Sequence, residues 1–258
     1  DSIDPALDKA AQIDGATPWQ TFRMVFLPLA IPIVAVVFVL SFIGIVNDYP
    51  IASVLLRSEQ NLTLAIGSRL YLNTGNGVDN THRLIRKQDA PSLIVLDKAS
   101  GRWLARDDEH IAPRIFHASW SSPALVEVEG KRRLIFCGGD GVVYGFDPLT
   151  ADPPAGTVTK MNSVWKFDPD PTGPKENVHR FTTNRIESPS VIPGLPVVEG
   201  GKLFVAVGGD TWWGKAQCWL KCINPGGQSD VTSTNQIWSL ELSKHVMSSP
   251  AVANGLVF

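Results

Sequence analysis

The stretch MVFLPLAIPIVAVVFVLSFIGIV, residues 24–46, carries no charged side chain. About twenty helical residues, at about 1.5 Å each, cross a hydrocarbon core about 30 Å thick. A helix pairs its interior amides internally and exposes no unpaired backbone group to lipid. Pro28 and Pro32 lie near the start of the run, where a missing donor is tolerated best. The pattern predicts one membrane-spanning helix over residues 24–46.

Two other structures contain apolar runs of this kind: a buried helix of a soluble core and a secretory signal. A signal has a shorter apolar core and small residues at its cleavage site. The residues that follow, Asn47-Asp-Tyr-Pro50, do not supply such a site. Length and lack of charge favour the spanning helix.

The composition of the 258-residue chain changes near residue 73. Residues 1–73 carry four basic and six acidic side chains, whereas residues 74–258 carry nineteen of each. Neither part has the basic surplus that phosphate backbones attract, so nucleic acid is excluded as a partner. The first part has the composition of a membrane segment, and the second that of a soluble, turn-rich domain.

Cysteine usage gives no disulfide framework, because Cys137, Cys218 and Cys222 are odd in number. If residues 218–222 form a strand, its two cysteines lie about 13 Å apart, too far to form a disulfide. We expect them to be small residues that face the core, rather than a metal or redox pair.

The segment before the apolar run, DKAAQIDGATPWQTF at residues 8–22, predicts two short helices around a sharp turn. Residues 6–13 form the first helix, and Asp14-Gly15 forms the turn. Thr17 is the N-cap of the second helix, with Pro18 in its first position. The expected structure is a helix pair held against a bilayer, able to dock a partner.

This segment resembles the cytoplasmic EAA loop of ABC importer permeases, whose pattern is Glu-Ala-Ala, two residues, Asp-Gly-Ala and a later Leu-Pro. The chain has Ala10-Ala11, Asp14-Gly15-Ala16 and Leu27-Pro28 at matching spacing. Residues 35–43 and 50–57 resemble a maltose-type sugar permease, so the resemblance covers residues 1–72. Lys9 departs from the pattern, because it stands where the motif has Glu.

The resemblance implies a coupling loop that inserts into a cleft of the ATPase subunit. Its residues are Lys9, Ala10, Ala11, Asp14 and Gly15. An ATPase subunit and a partner permease would bind through residues 8–22, and lipid would surround the helix. The implied location is the bacterial inner membrane, with the loop cytoplasmic and residues beyond 47 outside the cytoplasm. The alternative is a juxtamembrane hairpin without a partner.

Beyond residue 73, apolar runs shorten to strand length between Gly, Pro, Asp and Asn. The expected strands are residues 92–97, 121–128, 133–137, 142–146, 163–167, 202–207, 218–223, 236–242 and 247–253. The pattern Ser-Ser-Pro-Ala at residue 121 recurs at residue 248, and Gly138-Gly-Asp140 recurs as Gly208-Gly-Asp210. Such repeats predict propeller blades of four antiparallel strands.

The expected blades are residues 120–168 and 188–243, with partial blades at residues 92–107 and from residue 246. Loop insertions are expected at residues 149–162, 169–185 and 210–215. The predicted fold is therefore mixed: an α-helical membrane segment over residues 1–73, with a coupling helix and one transmembrane helix, then an all-β partial propeller over residues 74–258.

Two turns, Leu96-Asp-Lys-Ala-Ser-Gly-Arg-Trp103 and Gly145-Phe-Asp-Pro-Leu-Thr150, resemble those of pyrroloquinoline-quinone (PQQ)-like propeller repeats. Ala151 departs from that pattern, because it stands where the turn Gly is expected. Quinoprotein dehydrogenases of this type use PQQ with calcium, and often adjacent cysteines. No adjacent cysteine pair occurs in this sequence. The cofactor ligands are not recognisable either, so PQQ is not predicted as a cofactor.

Polar and aromatic side chains suggest one ligand site or polar patch in the second part. Each has a structural alternative: Asp residues cap tight turns, Trp packs between blades, and His and Arg join hydrogen-bond networks. The candidates are Asp140, His179, Arg180, Arg185, Glu187, Asp210, Trp212 and Trp213. No catalytic residue and no set of metal ligands is predicted.

Three functions remain open. The first is a sugar-importer permease segment joined to an extracytoplasmic propeller segment with a binding or scaffold role, as a natural fusion or an assembly of unrelated pieces. The second is a membrane-anchored propeller that binds a ligand or assists assembly without catalysis. The third is a membrane-anchored quinoprotein-type dehydrogenase. The chain lacks an initial Met and stops within an apolar run, so we expect it to be a fragment.

Overall fold

The computed structural model describes Lys9, Ala11, residues 14–27 and residues 64–258. Contacts divide the chain into two units, Asp1–Arg57 and Ser58–Phe258. The predicted boundary at residue 73 falls inside the second of these units.

The first unit contains a sharp turn at Asp14 and Gly15, as the sequence predicts. Lys9 and Ala11 are helical, and the Ala16 amide donates to the Ala11 carbonyl at 3.0 Å. Gly15 has a φ of +76°, a left-handed conformation that glycine adopts without steric cost. The sequence Asp-Gly is therefore placed where the chain reverses.

The turn leads into helix α1, Pro18–Thr21, whose predicted N-cap is confirmed. The Thr17 hydroxyl accepts the Gln20 amide at 3.4 Å, and the Gln20 side chain accepts the Thr17 amide at 2.8 Å. This reciprocal pair is a capping box, and it satisfies two amides that a helix start leaves unpaired. Pro18 in the first turn removes a third unpaired donor.

After α1 the backbone forms a π-helical segment, Phe22–Phe26. Most of the predicted membrane-spanning helix, residues 28–46, lies outside the described residues, as does Ala10 of the coupling loop. Among the helices within the described ranges, none combines the length and the apolar character needed to cross a membrane.

The second unit consists mainly of β-strands, and eight of the nine strands expected from the sequence are present, whereas only Val252–Ala253 of the ninth, residues 247–253, forms a strand. The strands are β1 Leu64–Ile66, β2 Arg69–Asn73, β3 Leu93–Asp97, β4 Trp103–Asp107, β5 Ala124–Val128, β6 Lys131–Cys137, β7 Val143–Phe146, β8 Thr159–Met161, β9 Trp165–Phe167, β10 Ser190–Val191, β11 Val197–Glu199, β12 Lys202–Gly209, β13 Cys218–Ile223, β14 Ser229–Asp230, β15 Gln236–Leu242, β16 Val252–Ala253 and β17 Leu256–Val257. Two short 3₁₀ helices, Ala112–Arg114 and Val178–Phe181, interrupt the long connections.

Three sheets contain most of these strands. The first sheet has the order β1-β2-β3-β4-β8, the second β14-β9-β7-β6-β5, and the third β10-β12-β13-β15, with β11 also paired to β12. Strands β16 and β17 form a separate hairpin. In each sheet, four strands pair antiparallel in their order along the chain, as the predicted blades require, although β8, β11 and β14 intervene in the sequence.

The first sheet differs from the partial blade expected at residues 92–107. Strand β2 pairs antiparallel with β3 and β1 pairs with β2, so residues 64–73 complete a four-stranded sheet. These ten residues were assigned to the membrane segment because their sequence resembles a permease. Two of their side chains, those of Leu64 and Tyr71, are buried in the sheet core.

Two strand pairs are parallel, whereas the sequence predicted purely antiparallel blades. Strand β8, inside the expected insertion at residues 149–162, pairs parallel with β4. Strand β14 pairs parallel with β9. Each of these short strands comes from the long connection of the following sheet. It therefore covers the outer edge of the sheet before it, where unpaired backbone would otherwise face solvent.

Two apolar cores separate the three sheets. In β6, Leu134 and Phe136 pack into the core with the first sheet, whereas Ile135 and Cys137 pack into the core with the third. Successive side chains of a strand point to opposite faces, so a strand buried on both faces is apolar throughout. The second sheet is thus the central layer.

The cysteine prediction is confirmed. Cys218 and Cys222 lie on β13, and all three cysteines are free and buried. Burial raises the pKa of the Cys137 thiol to about 12, which keeps it protonated and unreactive at neutral pH.

Candidate functional site

The Gly-Gly-Asp sequence at the end of β12 leads into a tight turn that presents two tryptophans. One carboxylate oxygen of Asp210 accepts the backbone amides of Trp212 and Trp213, both at 2.9 Å. Asp210 itself is fully buried. The expected role of this residue as a turn cap is therefore confirmed, and the turn carries both indoles.

The second carboxylate oxygen of Asp210 fixes a histidine from a distant part of the chain. It lies 2.9 Å from Nδ1 of His117. A carboxylate only accepts, so Nδ1 carries the proton in this contact. Asp210 thus links the connection before β5 to the turn after β12, across 93 residues of sequence.

Arg185 holds the same turn from outside. Its guanidinium donates to the carbonyls of Thr211 at 3.1 Å, Trp212 at 2.7 Å and Gly214 at 3.2 Å. Three backbone contacts in a fixed fork make this arginine a structural clamp rather than a free charge.

Five aromatic rings form a cluster around this turn. The His82 ring lies 4.5 Å from that of Trp213 at an interplanar angle of 30°. The His117 ring lies 4.9 Å from Trp120 and 5.6 Å from Trp212, in edge-to-face geometry. Trp212 remains 48% exposed. The cluster therefore presents aromatic surface to solvent, where a ligand can stack.

A cavity of about 620 Å³ opens beside this cluster. Its wall includes His82, Arg83, Asn177, His179, Arg180 and Trp213, together with three threonines. The volume lies within the range of about 300–1,000 Å³ that is usual for small-molecule sites. A second cavity, of about 460 Å³, shares His82 and is lined by His117 and Trp120.

Three residues in the wall of the larger cavity adopt left-handed backbone conformations. His82 has a φ of 53°, Asn177 of 49° and Thr183 of 69°. Such a φ is a genuine outlier for a β-branched residue such as threonine, and strained residues concentrate at functional sites. Hydrogen bonds hold this backbone, because the Thr183 amide donates to the Trp213 carbonyl at 2.9 Å and the Thr182 hydroxyl to the His82 carbonyl at 3.3 Å.

The environment of His179, in the cavity wall, lowers its pKa and so favours the neutral imidazole. Burial lowers the pKa of His179, more than its backbone contacts raise it. Its Nε2 lies 3.0 Å from the Ile115 carbonyl, so Nε2 carries the proton and Nδ1 is left as an acceptor.

Asp140, the counterpart of Asp210 in the second sheet, belongs to a different cluster. It accepts from the Arg114 guanidinium at 2.9 Å and from the Tyr144 hydroxyl at 2.7 Å. Burial raises the pKa of Tyr144 well above its usual value, so the phenol stays protonated. A cavity of about 350 Å³ lies beside these residues and is lined by both acidic and basic side chains.

A buried ion pair lies elsewhere in the unit. The Lys215 ammonium is 2.6 Å from Asp170, and both side chains are about 5% exposed or less. The Asp170 carboxylate also accepts from the Ser190 hydroxyl at 2.6 Å and the Thr172 hydroxyl at 2.8 Å. Burial alone would raise the pKa of Asp170, but these three donors outweigh it and lower the pKa.

The structure separates the eight predicted site residues into three groups. His179, Arg180 and Trp213 line the large cavity. Asp210, Arg185 and Trp212 support or adjoin the same turn. Asp140 lies in the separate cluster with Arg114. Glu187 belongs to neither place: its side chain is exposed, and its backbone amide donates to the side chain of Asn184.

The sequence reading missed His82, Arg83, Trp120 and Asn177 at the two cavities. Residues 82 and 83 follow a turn that Asp79 closes by accepting from Thr81. The only sequence signal was indirect, since His and Arg occur together both there and at residues 179–180. The described part of the chain contains no group of three or more His, Cys, Asp or Glu placed to hold a metal ion.

Comparison with known proteins finds a similarity at the N-terminal end. Residues 1–94 match the sequence profile of the family described as binding-protein-dependent transport system inner membrane component. The maltose/maltodextrin transport system permease protein MalG of Photorhabdus laumondii is 47% identical over 104 residues. Those of Escherichia coli strain K12 and Salmonella typhimurium strain LT2 are 44% and 55% identical over the same length.

These alignments cover 40% of this chain and 35% of each relative, so the chain spans about a third of the relatives' length. Among solved structures, the quinohemoprotein alcohol dehydrogenase from Comamonas testosteroni matches over 70% of this chain and 20% of its own, with a TM-score of 0.43 and 12% identity. The chain is thus similar at its N-terminal end to sugar ABC importer permeases of the maltose type, as residues 1–72 predict.

Proposed function

We propose that the N-terminal segment is the ATPase-coupling element of a sugar importer permease, joined to a β-sheet unit that binds a ligand. The permease part is supported by the match over residues 1–94, by the left-handed turn at Gly15 and by the capping box at Thr17. A short helix entered through a glycine turn is a rigid, compact element that can dock into a cleft. Lys9 is exposed and available to the partner.

The partners and location follow from this assignment. The coupling segment at residues 8–22 contacts an ABC ATPase subunit on the cytoplasmic side and lies beside a partner permease. Residues 24–46 cross the bacterial inner membrane, and the sheet unit lies outside the cytoplasm. A single spanning segment does not enclose a pathway, so transport requires further permease helices.

The Gly15 turn provides the test of this role. We expect Gly15→Pro to abolish co-purification of the full chain with the ATPase subunit of a maltose/maltodextrin transport system, because proline cannot adopt a φ of +76°. Gly15→Asn should retain most of the binding, since asparagine tolerates left-handed conformations. Equal recovery of the ATPase with both variants would contradict the coupling role.

The ligand role of the sheet unit is supported by the cavity beside Trp213. Its volume, its aromatic wall and the three left-handed residues are combined at one place. The function proposed for this unit is binding, with His179, Arg180 and Trp213 in contact with the ligand. Arg185 and Asp210 position the turn that carries the indoles.

A panel of neutral and charged small molecules tests this role by thermal denaturation of the full chain in detergent. A ligand at one hundred times its Kd stabilises by about 2.7 kcal/mol, which raises Tm by about 5–10 °C for a unit of this size. We expect Trp213→Leu to lose the shift and Trp103→Leu to keep it, because Trp103 is an exposed tryptophan on β4 outside the cavity wall. A panel that leaves Tm unchanged would contradict the binding role.

A further inference from the structure

The wall of the large cavity is rich in hydrogen-bond donors and contains no carboxylate. Arg83 and Arg180 supply two positive charges, and Asn177 and the threonines supply amide and hydroxyl groups. Trp213 supplies an apolar face. This inference rests on the binding role proposed above and concerns the chemical class of the ligand.

Neither arginine side chain has a polar partner among the described residues. Within residues 64–258, the side chains of Arg83 and Arg180 form no hydrogen bond or ion pair and both residues are exposed. Arg114 and Arg185, by contrast, are fully engaged by a carboxylate or by carbonyls. Two arginines at one cavity that contribute nothing to folding are positioned for an external anion.

The carboxylate of Asp79, in the adjoining cavity, forms its ion pair with Arg86 and not with Arg83 or Arg180. Asp79 lines the adjoining smaller cavity, and one of its oxygens accepts from the Thr81 hydroxyl at 2.6 Å and the Thr81 amide at 3.1 Å. Its other oxygen lies 3.6 Å from Arg86. These donors lower the pKa of Asp79, with the Thr81 hydroxyl as the largest cause. Asp79 is thus already paired with Thr81 and Arg86, although its charge also acts to raise the pKa of His179 in the wall of the larger cavity.

We propose that the cavity at Arg83, Arg180 and Trp213 binds a small polyhydroxylated phosphate monoester, of the sugar-phosphate class. The phosphate dianion matches the two guanidiniums in charge, and each guanidinium can contact phosphate oxygens in a fork. The Asn177 amide and the threonine hydroxyls pair with ligand hydroxyls. The indole of Trp213 packs against the C–H face of the carbon skeleton. Nδ1 of His179 accepts one further hydroxyl.

Isothermal titration of the full chain in detergent with four probes tests this assignment. The probes are glucose 6-phosphate, glucose, gluconate and inorganic phosphate. We expect glucose 6-phosphate to bind at least tenfold more tightly than each of the other three. Inorganic phosphate should compete with it, because both occupy the two guanidiniums.

Charge variants locate the site. Arg83→Ala and Arg180→Ala should each weaken glucose 6-phosphate binding about tenfold or more, since a hydrogen bond to a charged group is worth about 1.5–3 kcal/mol. Arg132→Ala is the matched control, because Arg132 is an exposed arginine on β6 outside this wall. Circular dichroism should show unchanged unfolding for all three variants, since these exposed side chains form no hydrogen bond or ion pair within residues 64–258.

The outcomes distinguish a failure of the proposed ligand class from a failure of the proposed binding role. Unchanged affinity in both Arg83→Ala and Arg180→Ala would overturn the anion assignment. Glucose or gluconate binding as tightly as glucose 6-phosphate, with loss in Trp213→Leu, would overturn the phosphate class and leave the binding role standing. Absence of binding by every probe, with no shift from the wider panel, would overturn both.

Discussion

Gly141→Ala is expected to destabilise the sheet unit by about 2–5 kcal/mol, enough to leave much of it unfolded. Gly141 has a φ of +76°, and a Cβ added there would lie 2.1 Å from the Ser190 carbonyl oxygen. The left-handed conformation costs about 1–2 kcal/mol for a residue with a Cβ. Displacing backbone in a packed core adds about 1–3 kcal/mol.

Gly156→Ala is the matched control for this substitution. Gly156 has a φ of +79°, and an added Cβ there would meet nothing within 4 Å. The control therefore carries the conformational cost alone, about 1–2 kcal/mol. Urea unfolding of both variants, followed by circular dichroism, measures the difference. Equal midpoints would show that the turn at Gly141 does not pack against β10 as described.

Lys215→Met is expected to destabilise the unit by about 3–5 kcal/mol at pH 7, because it leaves the Asp170 carboxylate buried without its cation. Lys175→Met is the control. The Lys175–Asp168 pair has the same residue types at 3.0 Å, but its side chains are 24% and 21% exposed. A solvated pair of this kind contributes about 0–1 kcal/mol. Similar losses in the two variants would contradict the burial of the Lys215 pair.

The pH dependence of the same variant follows from the lowered pKa of Asp170. A carboxyl whose pKa is lower in the folded than in the unfolded state stabilises the fold above its unfolded pKa, about 3.9. That stability is lost as the pH falls through the lower, folded value. We expect wild-type protein to lose stability below about pH 4, and Lys215→Met to lose less there because its carboxyl titrates without the ammonium.

A double variant separates the pair from its surroundings. Asp170→Leu with Lys215→Met replaces both charges by apolar side chains, and we expect it to be more stable than either single variant. Losses in the double variant equal to the sum of the single losses would show that the two groups do not interact.

Most strands of the second unit could be predicted from the sequence because the patterns that indicate them are local. In β6, burial on both faces produces a continuous apolar run from Leu134 to Cys137, and Gly130 and Gly138 flank the strand. The repeated Gly-Gly-Asp is equally local, since the carboxylate of Asp140 or Asp210 caps amides two or three residues later. Structural features that depend on only a few consecutive residues can be predicted without knowing the fold.

The candidate site could be predicted only in part, because its contacts join residues that are far apart in the sequence. His117 and Asp210 are 93 residues apart, and the Thr182 hydroxyl reaches the His82 carbonyl across 100. Nothing in the sequence around residue 82 marks it as a neighbour of residue 213. Strand β14 was also missed, because two residues carry no periodicity and the strand exists only through its pairing with β9.

The order of residues along the chain is sufficient for the glycine turn and N-cap of the first unit, and for eight of the nine expected strands. Each depends on backbone geometry or side-chain alternation within one segment. The arginines of the cavity, the ion pair of Lys215 and the parallel strands at the sheet edges depend on which segments meet. These contacts form only when the three sheets pack around the two apolar cores they share. They therefore depend on the tertiary structure as a whole.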